Sequence, residues 1–60
     1  MLKEYEVTCE VDMCANCIEK VRITTTHPQK AMMFADHNLK KKGHFYVSVI
    51  RCKEVKDEGH

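Results

Sequence analysis

Polar and apolar residues alternate along KEYEVTCEV, residues 3–11, with Tyr5, Val7, Cys9 and Val11 on one side and Glu4, Glu6, Thr8 and Glu10 on the other. A period of two is that of a strand with one face buried. EKVRITTT, residues 19–26, repeats it: Val21, Ile23 and Thr25 face one way and Lys20, Arg22, Thr24 and Thr26 the other, in a β-branched run suited to a strand. DMCANCI connects the two.

The period then changes. Thr26 with Gln29 three residues on reads as a capping box, and Pro28 is tolerated in a first helical turn. Through KAMMFADHNLKKK the residues Ala31, Phe34, Ala35, Asn38 and Leu39 share one side, with Met32 at its flank, which is helical spacing. Three lysines and then Gly43 end the helix, placing positive charge on its last turn and a residue free to take φ > 0 after it. HFYVSVIRCKEV returns to strand with Phe45, Val47 and Val49 on one face, and KDEGH trails off as a polar tail.

The order ββαβ predicts an α+β fold: a three-stranded antiparallel sheet, strand order 2-1-3, with one helix on one face. The first two strands make a hairpin, the helix returns to the hairpin end, and the third strand runs antiparallel to the first. Layers such as Val47/Cys9/Val21 and Val49/Val7/Ile23 are expected under Phe34, Ala35 and Leu39, completing a core with Tyr5, Val11 and Phe45. Residues 1–55 form one domain on this reading and 56–60 a frayed tail.

A chain of 60 residues buries only about 60% of its unfolded surface, so a metal, a disulfide or a partner would help to hold it. Its net charge of +1 carries no general nucleic-acid footprint. Lys40, Lys41, Lys42, Arg51, Lys53 and Lys56 are the phosphate-contact candidates, but the lysine triplet already serves the helix end. No apolar run approaches the roughly 20 residues that span a bilayer, and MLKEYEVT opens on charges, so the expected location is cytoplasmic with no membrane role. There, four cysteines are expected as thiols or metal ligands.

Candidate chemistry gathers at MCANC, residues 13–17. Cys14 and Cys17 sit at the hairpin tip, and His44, opening the third strand, lies at the same end. These three are the candidate zinc ligands, with Asp12, water or Cys9 as the fourth. Cys52 lies on the order of 20 Å away down the third strand, and Cys9 points into the core as a small hydrophobe. A thioredoxin-like redox pair would precede a helix, whereas here a strand follows. No Gly-rich phosphate loop or secure nucleophile and base pair suggests an enzyme. His27 belongs to the capping region, and His37 and Met33 lie off the apolar stripe.

CANCIEKV resembles the start of the heavy-metal-associated domain of copper chaperones and metal-transporting ATPases, and LKKKGHFYVSVI is similar to that family's last helix and strand. The resemblance implies a helix after the CxxC and metal-transfer ligands at Cys14 and Cys17. Met13 directly precedes Cys14, where the family's methionine stands one residue further back. In outline the ββαβ pattern is also similar to small accessory proteins of phages and other mobile elements, which implies a module that binds a host protein.

A one-helix, three-strand domain leaves the second sheet face open. Tyr46, Ile50 and Cys52 are expected there beside Glu4, Glu6, Glu10, Lys20 and Arg22. Tyr46 and Ile50 are the candidate partner contacts, with homodimerisation through this face or by edge pairing as one use of them. The expected function is a small non-enzymatic binding module with a protein partner; the alternative is a zinc- or copper-binding protein centred on MCANC.

Overall fold

Lys3–Val11 (β1) lies between two strands, and that central position is why its inward side chains are the most deeply buried of the sheet. The structure, a computed structural model, describes residues 1–56. Ile18–Thr25 (β2) and Val47–Val55 (β3) flank β1, both antiparallel to it, in the order β2-β1-β3, and Pro28–Lys42 (α1) covers one face. This is the α+β arrangement that the residue pattern predicts. The expected 56–60 tail falls, beyond residue 56, outside the described residues.

The core is Tyr5, Val7, Cys9 and Val11 from β1, Ile23 from β2, and Ala31, Ala35 and Leu39 from α1. Val21, Val47 and Val49 are only half-buried because they lie on edge strands. Two aromatic residues expected inside are not there. Phe34 is 46% exposed: the helix side that closes on the sheet carries Ala31, Ala35 and Leu39 with Met32 and Asp36 at its flank, and the small alanines suit a close approach that a phenyl ring would hold apart. Phe45 is 75% exposed because β3 begins only at Val47, so strand alternation does not govern residues 44–46.

The register also differs from the expected layers by two residues. Val7 faces Val21, Tyr5 faces Ile23, Val11 faces Val47 and Cys9 faces Val49. A shift of two preserves every side-chain face, so alternation cannot detect it; the hairpin turn sets it.

A bulge in β3 changes one face. Cys9 pairs with Val49 but Thr8 with Arg51, leaving Ile50 as the extra residue. Uninterrupted alternation would set Arg51 opposite Val7 beneath the helix. The bulge turns Arg51 to the open face and Cys52 inward, opposite Val7 and packed against the core, with Cys52 Sγ 3.8 Å from the Pro28 carbonyl oxygen. Cys52 therefore does not join Tyr46 and Ile50 on the open face, as alternation alone implies.

At the helix start the N-cap is His27, in extended backbone and with no side-chain cap bond, so Thr26 is not the capping residue. At its end the Gly43 N–H donates to the Lys40 carbonyl (3.1 Å) and the His44 N–H to the Leu39 carbonyl (3.2 Å), the paired bonds of a Schellman stop with Gly43 at φ 120°. That stop delivers His44 to the hairpin end.

Candidate functional site

The connection from β1 to β2 is two consecutive tight turns. The Cys14 N–H donates to the Val11 carbonyl (3.2 Å) and the Cys17 N–H to the Cys14 carbonyl (3.0 Å), while the Val11 N–H closes the base on the Cys17 carbonyl (3.0 Å). In the first turn Asp12 and Met13 both have positive φ, 56° and 53°. This is the type I′ pattern that matches strand twist in hairpins, and its usual residues are Asn, Asp and Gly. Asp12 suits it; Met13 does not, because a long L side chain at positive φ crowds its own backbone.

Three bonds from Asp12 tie this tip to the chain entering β3. Its N–H donates to the Tyr46 carbonyl (2.8 Å), its Oδ1 accepts from the Phe45 N–H (3.0 Å), and its Oδ2 is hydrogen-bonded to His44 Nδ1 (2.8 Å). The His44 bond, assisted by the Phe45 and Tyr46 amides, holds the Asp12 carboxyl below its ordinary pKa. Asp12 thus fixes residues 44–46 against the tip.

Cys14 and Cys17 are joined to each other as a disulfide across the second turn. His44, expected beside them, does reach this end but is engaged by Asp12. Among the described residues no group of three or more His, Cys, Asp or Glu side chains is arranged to hold a metal. CANCIEKV runs into strand β2, whereas the heavy-metal-associated resemblance implies a helix there, so that resemblance does not extend to the fold. The remaining cysteines lie elsewhere: burial raises the pKa of both Cys9 and Cys52, with Asp36 adding to the effect at Cys9.

The same end carries exposed apolar side chains. Met13 is 73% exposed, and Phe45, Tyr46 and Ile18 are also open to solvent. Tyr46 is thereby at the tip, whereas Ile50, 57% exposed, stands at the bulge about 13 Å further along β3. Glu10 and Ser48 lie between them, and beyond Ile50 the open face is charged: Glu4 and Glu6 run down β1, flanked by Lys20 and Arg22 on β2 and Arg51 and Lys53 on β3. Arg22 Nη1 lies 3.3 Å from Glu4 Oε2. Sequence reasoning missed Met13 and Phe45 as surface residues and weighed Asp12 only as a spare metal ligand. An Asp directly after a strand is a turn signal, and it was the available clue.

The helix is neither long nor apolar enough to cross a membrane. No protein-family model matches the chain, and no curated protein or solved structure shows significant similarity to it.

Proposed function

We propose that this chain is a small non-enzymatic module that binds another protein through the hairpin tip, with Met13, Phe45 and Tyr46 at the centre of the contact and Ile18 and Ile50 at its margins. The observation that carries this reading is the pairing of exposure with rigidity. Met13 and Phe45 are among the most exposed large apolar residues, yet the backbone beside both is pinned by Asp12. Exposed apolar groups held in place lose little conformational entropy on binding, which favours an interface over a merely frayed loop. The outline likeness to phage accessory proteins supports a host protein as the partner and the cytoplasm as the setting.

Met13→Asp and Phe45→Asp test it, with Met33→Asp on the exposed helix side as control. Crosslinking in cells followed by mass spectrometry should recover one partner with wild type and the control, and lose it with both tip variants at unchanged melting temperature. A partner retained by both tip variants would overturn the reading. Sedimentation equilibrium run alongside reports whether the occupant is a second copy of this chain.

Zinc or copper binding at Cys14, Cys17 and His44 is the alternative. It requires the disulfide to be reduced and His44 to leave Asp12. Zinc titration of the reduced chain, with Cys14→Ser/Cys17→Ser alongside, decides it: one tight equivalent lost in the double variant supports the metal reading.

A further inference from the structure

We propose that the Cys14–Cys17 disulfide is a reversible latch on the tip: a dithiol reductant opens it, frees Met13 from its positive-φ turn and weakens the contact surface. This inference rests on the tip being that surface.

The bond joins residues three apart, so it restricts the unfolded chain far less than a bridge between distant segments would. The buried centre of the domain, Val7, Cys9 and Leu39, is elsewhere. Such a bond acts on its own loop more than on the whole fold. Met13 occupies a conformation unfavourable for its side chain, and a conformation of that kind persists only where the surroundings enforce it. On its N-terminal side Asp12 is held by His44, Phe45 and Tyr46; on its C-terminal side Cys14 is held by the disulfide and by the bond from its N–H to the Val11 carbonyl. Opening the disulfide leaves the C-terminal side of Met13 held by the hydrogen bonds of the turn alone.

The chemistry is also confined to this place. Both sulfurs belong to partly exposed residues in a surface loop, while Cys9 is fully buried and Cys52, also partly exposed, is a free thiol with no disulfide to open. One thiolate of the reductant attacks a sulfur of the Cys14–Cys17 bond, forming a mixed disulfide and releasing the other cysteine, which takes a proton. The reductant's second thiol then displaces the first cysteine. The chain gains two electrons and two protons and becomes a dithiol, and the reductant becomes a disulfide. In a reducing compartment disulfides that do form are usually transient and redox-sensing, which fits a latch better than a permanent staple.

The test uses the whole chain with dithiothreitol as the dithiol and glutathione disulfide as the oxidant. Alkylation mass spectrometry counts reactive thiols, backbone chemical shifts at Asp12 and Met13 report positive φ, and a thermal melt reports the fold. Reduction should make Cys14 and Cys17 reactive, leave Cys9 protected and the reactivity of Cys52 unchanged, erase the positive-φ signature at Met13 and keep the main melting transition; oxidation should restore the turn. Cys14→Ser/Cys17→Ser should match the reduced wild type. Partner binding should weaken about tenfold on reduction, as when a tenth of the chains keep the competent turn.

Unchanged Met13 shifts on reduction would overturn the latch, as would global unfolding. Since these readouts need no partner, a working latch in a chain whose tip variants bind normally would overturn the contact surface alone.

Discussion

Asp12 concentrates at one side chain and one amide the bonds that hold two loops together, with His44, Phe45 and Tyr46 as partners. Its carboxyl pKa is lowered by the His44 hydrogen bond first, so the charged form is favoured by folding. The stabilisation is fully present above the unfolded value, about 3.9, and is lost as pH falls through the lower folded value. Asp12→Asn, which tolerates positive φ but carries no charge, should melt lower than wild type at pH 7, with the gap closing in strong acid. A pH-independent gap in a melting series would show that charge is not what Asp12 contributes. Leu39 and Phe34, both expected in the core but only the first found there, make a second prediction. Leu39→Ala should cost about 2–5 kcal/mol in urea denaturation, since Leu39 is 1% exposed. Phe34→Ala should cost about 1 kcal/mol or less, because the ring is half in water already. Equal losses would put Phe34 back in the core.

Within elements, the bulge in β3 and the stop of α1 are the informative irregularities. Deleting Ile50 leaves every other β1–β3 pair intact, since Cys9 would still face Val49 and Thr8 would still face Arg51. The shortened chain should therefore fold, with the alkylation rate of Cys52 unchanged, and its straighter edge should aggregate more readily. Loss of the melting transition would argue that Ile50 is an ordinary paired residue. Gly43 has open space where a Cβ would go, but its φ of 120° is costly for any L side chain. Gly43→Ala should lose at least about 1 kcal/mol by denaturation and should move His44 away from Asp12. Unchanged NMR contacts between the His44 ring and Asp12 would show that the Schellman stop does not position it.

Across the whole molecule, charge decides which surfaces can associate. Both edge strands present adjacent cations on the open face, Lys20 and Arg22 on one and Arg51 and Lys53 on the other. Closely centred antiparallel self-pairing of either edge would bring these like charges together, which opposes the edge-paired homodimer. Chains that associate should do so through the tip, so Phe45→Asp should abolish any dimer seen by sedimentation and Lys20→Glu should not. The reverse result would assign the dimer to the β2 edge.

The residue pattern by itself determined the ββαβ order, the central place of β1, the burial of Cys9 and the helix end at Gly43, because periods of two and 3.6 and a left-handed stop residue are local properties of the chain. It also placed His44 at the hairpin end, which follows from topology. Tertiary structure alone decided the two-residue register, the bulge at Ile50, the exposure of Phe34 and Phe45, and the clamp made by Asp12. A register shift of two leaves the alternating pattern unchanged, and a bulge reverses faces without changing composition. Partners 32 residues apart, such as Asp12 and His44, meet only once sheet and helix have packed.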